Sequence, residues 1–123
     1  MEAMSSDGIT REIIGAAIRV SNTLGVGFLE KIYERAMAYE LSKRGLGVEE
    51  QKPIAVTYDG IVLGEYFVDL LVHGSIVVEI KAAKAIDISH QAQVLNYLRA
   101  TNLHIGLILN FGTSRLGIKR ICR

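Results

Sequence analysis

The chain has 123 residues, half of them hydrophobic, which suits one folded domain over residues 1–123. Its apolar runs are strand-sized and interrupted by charge, which excludes a transmembrane helix. The first seven residues lack the basic and apolar regions of a signal peptide. Cys122 stands alone and excludes an internal disulfide. We therefore expect a cytoplasmic protein that does not enter a membrane.

The net charge of +1 conceals an uneven distribution. Residues 1–70 carry seven Lys and Arg against eleven Asp and Glu, a net charge of −4, whereas residues 71–123 carry seven against two, a net charge of +5. A basic patch near the C-terminus could meet phosphates, or it could protect an edge strand by positive charge. Charge alone does not indicate a strong nucleic-acid binder. The patch comprises Arg115, Lys119, Arg120 and Arg123.

Two helices are predicted first. Residues 6–10 offer N-cap side chains, and apolar residues follow at helical spacing over 13–24. Glycines within 25–27 interrupt this pattern. A second helix is predicted from about 28 to 43, with Gly45 as its C-terminal stop.

Three strands, a helix and two more strands are predicted next. The first strand follows Pro53, and Asp59-Gly60 signals the hairpin turn into the second, which runs from Ile61 into the region of Asp69. The order ααβββαββ predicts an α/β fold with a mixed sheet flanked by helices. The remaining strands are predicted at 76–81, 105–109 and 118–121, and the helix from Asp87 or Ser89 to about 102.

Ionisable residues interrupt the second and third strands. Because strand side chains alternate between faces, Asp69 is expected to share a face with Phe67 and Leu71, and Glu79 to lie beside Lys81. Ionised groups among apolar neighbours cost several kcal/mol each unless they find a partner or a metal. Two acids and a lysine that converge at the centre of a sheet therefore require an explanation.

A divalent-metal site explains this convergence. Mg²⁺ and Mn²⁺ take oxygen ligands and usually keep several waters, so Asp69, Glu79 and the backbone carbonyl of Ile80 would suffice as ligands. Lys81, on the same face as Glu79, could orient or deprotonate a water and stabilise charge on a phosphoryl group. The alternative is a buried acid–lysine salt bridge without catalytic duty.

Two helical motifs could belong to the same site. Glu30 lies on the side of the second helix that carries Tyr33 and Met37, so we expect it to point toward the body of the protein. Gln93 and Tyr97 are four residues apart on one face of the third helix. Each is weak alone, because Glu30 could simply favour the helix dipole and the pair could be an amphipathic boundary. Their joint order is the specific observation.

This order resembles the signature of the PD-(D/E)XK nuclease superfamily, most of all the branch with the exonuclease modules of bacterial recombination helicase–nucleases. Residues 27–33, Gly-Phe-Leu-Glu-Lys-Ile-Tyr, also match the motif of the small GxxExxY proteins. The resemblance spans from about residue 10 to the C-terminus and includes Asn110-Phe111-Gly112. In the superfamily a proline often precedes the Asp of the motif, and Val68 stands at that position here. The proline is also often missing in the superfamily.

The resemblance implies a restriction-endonuclease-like fold and an enzyme that uses Mg²⁺ or Mn²⁺ to hydrolyse phosphodiester bonds of DNA by metal-activated water. It implies that Asp69 and Glu79 bind the metal, that Lys81 is the catalytic lysine, and that Glu30 is a further acid of the site. Gln93 and Tyr97 would support the site or contact the nucleic-acid backbone.

Two other functions remain open from the sequence. The chain could be a catalytically silent module that binds nucleic acid or protein, or a phosphohydrolase that acts on a small nucleotide. A core of this size leaves little room for a separate DNA-recognition apparatus, so sequence-specific cutting would require a homodimer or a larger protein partner.

Overall fold

A computed structural model describes residues 4–123. The first three residues, part of the segment predicted not to be a signal peptide, lie outside the described residues. No helix within the described range is both long enough and apolar enough to span a membrane. The elements are α1 Ser6–Leu24, α2 Glu30–Lys43, β1 Val48–Tyr58, β2 Ile61–Val72, β3 Ile76–Lys81, α3 Ile88–Thr101, β4 Ile105–Asn110 and β5 Gly117–Cys122.

The strands form one five-stranded sheet in the order β1-β2-β3-β4-β5. Neighbours pair antiparallel, except β3 and β4, which pair parallel. A parallel pair needs a crossover connection, and α3 supplies it between these two strands. The predicted element order and the mixed sheet are confirmed.

The two faces of the sheet carry separate hydrophobic cores. On one face α1 and α2 pack against the sheet, and on the other face α3 does so. Of the apolar stripe predicted for α1, Ile13 and Ala17 are buried in the first core, whereas Ile18 is exposed. The Ser5 hydroxyl accepts a hydrogen bond from Gly8 N–H at 3.1 Å and caps this helix. The largest fully buried side chains of the first core are Ile13, Tyr33, Met37, Leu41, Leu70, Ile76, Ile80, Leu107, Leu109 and Phe111.

Two element boundaries differ from the prediction. Strand β1 begins at Val48, ahead of Pro53, because β1 is an edge strand, where a proline without an N–H can be accommodated. Helix α2 begins at Glu30 instead of Phe28. The Tyr33 hydroxyl holds the preceding loop, since it donates to the Gly25 carbonyl at 2.6 Å and accepts from Phe28 N–H at 3.2 Å.

The buried side chain of Asn110 ties the ends of β3 and β4 together. Its Oδ1 accepts from the N–H groups of Ala83 at 2.9 Å and Gly112 at 3.1 Å, and its Nδ2 donates to the Ala83 carbonyl at 3.0 Å. Phe111 N–H donates to the Lys81 carbonyl at 2.8 Å. A Cβ on Gly112 would overlap the backbone of Ala83, so this close approach requires glycine. The backbone immediately after Lys81 is thereby fixed.

We expect Gly112→Ala to destabilise the fold by about 1–3 kcal/mol or more, because the overlapping atoms belong to backbone that Asn110 holds in place. Urea denaturation measures this. Gly64→Ala is the control, since a Cβ there meets nothing within 4 Å. Equal stability of the two variants would contradict the assigned role of Gly112.

Candidate active site

Strands β2 and β3 pair over a short length and then separate. Their register joins residues 70–72 to 76–78. Just beyond this ladder, Ile80 N–H donates to Asp69 Oδ2 at 2.8 Å, and Asp69 N–H donates to Glu79 Oε1 at 3.3 Å. We call this point, marked by Asp69 and Glu79, the strand fork. The reciprocal bonds hold both carboxylates at the fork and satisfy backbone donors that the ladder no longer pairs.

The alternation of side chains in β2 breaks at the strand fork. Val68 is buried in the core beneath α3, whereas Leu70 is buried in the core beneath α1 and α2. Residues two apart in a regular strand would share a face. The prediction that Asp69 shares a face with both Phe67 and Leu71 is therefore wrong, because it assumed regular alternation through this point.

Gln51, on the neighbouring strand β1, also departs from regular backbone geometry here. The β1–β2 register passes from Glu50↔Leu70 to Lys52↔Val68, and between these pairs Gln51 adopts a φ of 51°. A left-handed conformation in a non-glycine residue typically costs about 1–3 kcal/mol, and the surrounding contacts must hold it.

The Gln51 amide links the strand fork to α2. Its Nε2 donates to Glu34 Oε1 at 2.8 Å and approaches Asp69 Oδ1 at 3.3 Å. Glu34 is only 4% exposed, and its other oxygen accepts from Lys31 Nζ at 2.7 Å. Burial raises the pKa of Glu34, and the nearby charge of Asp69 raises it further. Glu34 is thus a third acid that is linked to the strand fork, through the side-chain amide of Gln51.

The helical acid in this network is Glu34, one turn beyond the predicted Glu30. Glu30 is exposed, so the prediction that it points toward the body of the protein is wrong. The reason is that α2 begins at Glu30, which leaves that side chain at the solvent end of the helix. Glu34 lies between the buried Tyr33 and Met37, a sequence signal that could have found it. No local sequence pattern marks Gln51.

Electrostatics at the strand fork are dominated by Glu79, which is 4% exposed. Burial, followed by the negative charge of Asp69, raises the pKa of the Glu79 carboxyl to about 9. The positive charge of Lys81 acts in the opposite direction on this pKa but is outweighed. Within residues 4–123, no ion pair joins Lys81 to either carboxylate. The half-buried lysine therefore lies near the carboxylates without being bound to them.

Helix α3 contributes Tyr97. Burial raises the pKa of its phenol to about 12, and the charges of Glu79 and Asp69 add to the shift. Tyr97 is therefore a neutral hydrogen-bond donor in the field of both acids at neutral pH. Gln93 lies on the same helix with its side chain exposed. The structure thus gathers Asp69, Glu79, Lys81 and Tyr97, with Gln93 at the periphery.

Comparison with known proteins identifies the superfamily and the fold. A family model described as the PD-(D/E)XK nuclease superfamily matches residues 7–121. The chain belongs to the PD-(D/E)XK nuclease superfamily. The crystal structure of SSO0001 is similar in fold, with a TM-score of 0.61 and 18% sequence identity, over 92% of this chain and 57% of that one. The chain thus spans little more than half of SSO0001. No curated protein matches significantly.

The restriction-endonuclease-like α/β fold predicted from the motifs is confirmed by these matches together with the sheet order. PD-(D/E)XK nucleases typically use divalent metals. In the described part of the chain, no three Asp, Glu, His or Cys side chains are grouped to hold a metal. Two carboxylates, completed by water or a backbone carbonyl, are nevertheless a common Mg²⁺ ligand set. Asp69 and Glu79 fit it, because reciprocal hydrogen bonds to backbone N–H groups bring both carboxylates to one point between the strands.

The proton on Glu79 predicts a pH dependence of stability. Its folded-state pKa of about 9 lies above the ordinary value of 4.5, so the folded chain holds a proton that the unfolded chain releases. The contribution of this proton to the free energy of unfolding is complete below about pH 4.5 and is lost as pH rises toward 9. In EDTA, the urea midpoint of the parent should fall over this range, and Glu79→Gln should remove most of that fall.

Glu65→Gln, at an exposed position of β2, is the matched control and should keep the parent's pH dependence. An identical pH slope in the parent and Glu79→Gln would rule out Glu79 as its source.

Proposed function

We propose that this chain is a divalent-metal-dependent nuclease that hydrolyses phosphodiester bonds of DNA. The observation that carries the proposal is the strand fork, where Asp69 and Glu79 exchange backbone hydrogen bonds with Lys81 nearby, in a chain of the PD-(D/E)XK superfamily. Nucleic-acid binding is common to the superfamily, and the choice of DNA belongs to this proposal.

Asp69 and Glu79 would hold Mg²⁺ or Mn²⁺, together with the Ile80 carbonyl. Each carboxylate uses one oxygen for a backbone N–H, and Asp69 Oδ1 also accepts from Gln51 Nε2 at 3.3 Å. Glu79 Oε2 and the second lone pair of Asp69 Oδ1 would face the cation. When bound, the cation supplies positive charge that acidifies a water molecule and stabilises the phosphoryl oxygens. The reciprocal bonds orient both carboxylates beforehand, which limits the reorganisation that binding requires.

Lys81 would orient the attacking water and stabilise charge that develops on the phosphate. It projects from the end of β3, where the Asn110 contacts fix the following backbone. Its ammonium is not held in an ion pair in the described part of the chain, so it is free to contact substrate. Tyr97 would donate a hydrogen bond within the site, and Gln93 would contact the nucleic-acid backbone.

We assign the helical acid of the site to Glu34 instead of Glu30. The support is the Glu34–Gln51–Asp69 hydrogen-bond chain, since Glu34 reaches Asp69 through one amide whereas Glu30 is exposed. In this arrangement Gln51 positions Asp69, and Glu34 fixes which way the Gln51 amide points.

The finer family assignment is to the GxxExxY proteins. Its support is the motif at residues 27–33, in which Tyr33 organises the loop before α2 and stacks on Phe111 with ring centroids 4.8 Å apart. We further propose that residues 1–123 act as one cytoplasmic domain, and that a second copy or a larger protein supplies DNA selectivity.

A catalytically silent nucleic-acid-binding module is the second candidate. Two observations favour it: the described residues group no three metal-binding side chains, and Glu79 holds a proton at neutral pH. Measurements of metal binding and of DNA cleavage together distinguish the two candidate functions.

We expect Lys81→Ala to lose cleavage by a factor of about 10²–10³, because it removes one stabiliser of transition-state charge. It should still bind Mn²⁺, whereas Glu79→Ala should lose both properties. The measurements are DNA cleavage on single- and double-stranded substrates, and the melting shift caused by Mn²⁺.

Lys84→Ala, an exposed lysine just beyond β3, is the matched control and should cleave like the parent. Full activity of Lys81→Ala would refute the proposed mechanism. A parent that binds nucleic acid but does not cut it with either metal would establish the silent module.

Gln51→Gly should keep the left-handed backbone and remove the amide that positions Asp69. Loss of such a supporting contact typically weakens metal affinity by about 10–100-fold. Calorimetric titration with Mn²⁺ measures this, and Thr57→Gly on the same exposed strand is the control. Unchanged affinity in Gln51→Gly would show that the amide does not position the ligand.

A further inference from the structure

A groove of about 720 Å³ lies between α3 and the β1–β2 hairpin. Its walls come from the exposed part of β1, from β2, and from the outer side of α3, and it is open to solvent along its length. We call it the α3 groove. The lining side chains with aromatic or polar groups are Thr57, Tyr66, Ser89, Gln93, Asn96, Tyr97 and Arg99.

Tyr97 is the residue that the α3 groove shares with the surroundings of the strand fork. Tyr97 lines the groove, and the charges of Glu79 and Asp69 act on its hydroxyl. Its ring lies 5.9 Å from the ring of Tyr66, centroid to centroid. Tyr66 and Tyr97 are therefore neighbouring rings within the groove.

The chemistry of the groove suits a nucleotide chain. Tyr66 is 52% exposed, so one side of its ring is accessible to a flat ligand. Arg99 is the one charged residue that lines the groove, and its Nη1 donates to Asn96 Oδ1 at 3.3 Å. An accessible aromatic ring, a guanidinium and side-chain amides can together contact a base, a phosphate and base edges.

We propose that the α3 groove binds single-stranded nucleic acid, with a base stacked on Tyr66 and a phosphate near Arg99. This rests on the proposed nuclease function and extends it, because the groove would deliver the strand to the carboxylates past Tyr97. Bases in a duplex are stacked on each other and their faces are covered, so only an unpaired base can stack on a ring set between a helix and a hairpin.

The absence of tryptophan from the sequence allows a direct test. Tyr66→Trp introduces a single indole in the groove, and stacking of a base on it should quench its fluorescence. The probe is an oligothymidylate added in EDTA, so that no cleavage occurs. We expect saturable quenching with the single strand and much weaker quenching with the corresponding duplex.

Tyr58→Trp is the matched control, since Tyr58 is 68% exposed on the same hairpin and does not line the groove. Quenching confined to Tyr66→Trp supports the proposal. Equal quenching of both indoles, quenching of neither, or equal quenching by single strand and duplex would overturn it.

Substitution of Tyr66 separates this proposal from the nuclease function. Tyr66→Ala should weaken oligonucleotide binding by about 5- to 150-fold, the equivalent of one stacked base, whereas Tyr66→Phe should bind like the parent. In cleavage with Mn²⁺, Tyr66→Ala should raise KM more than it lowers kcat. If the parent cleaves DNA and Tyr66→Ala changes neither binding nor KM, only the proposal for the groove is refuted. If binding depends on Tyr66 but the parent does not cleave, only the nuclease function is refuted.

Discussion

Two carboxylates, one half-buried and one buried, meet where β2 and β3 separate, and the rest of the site is arranged around this constraint. Asp69 and Glu79 each accept a backbone N–H from the opposite strand, so neither backbone donor is left unpaired. Hydrogen bonding does not remove the repulsion between two negative charges in a medium of low dielectric. Burial first, and then the charge of Asp69, raise the pKa of Glu79, so the metal-free chain retains a proton on this carboxyl at neutral pH.

The supporting structure acts on both sides of this gap. Tyr33 holds the loop before α2, and its ring stacks on Phe111, which follows β4. Asn110 holds the backbone after Lys81. Tyr33 and Asn110 lie outside the acidic motifs and thus support the site by fixing the loops next to it. They fix where α2 begins and where β3 ends, and these two points determine the positions of Glu34 and Lys81.

The sequence predicted the fold well because its strands carry buried apolar runs and its motifs occur in a characteristic order. It failed where distant contacts override local pattern. The alternation of β2 breaks at Asp69, opposite the point where Gln51 of β1 has a left-handed backbone and contacts Glu34, a residue 17 positions away on a different element. The expected start of α2 at Phe28 favoured Glu30 over Glu34, and the observed start at Glu30 leaves Glu30 exposed at the end of the helix.

The strained Gln51 backbone and the protonated Glu79 are two costs located at one site. Each would be relieved by a simple change, a glycine in the first case and a neutral amide in the second, yet either change removes a group that the proposed metal site uses. Such local costs persist where the groups serve binding or catalysis. A cation at the strand fork would replace the proton of Glu79 and the two would compete, so cation affinity rises with pH while the metal-free fold weakens. Deprotonation of Glu79 would therefore lower the stability of the metal-free chain and raise its affinity for a cation.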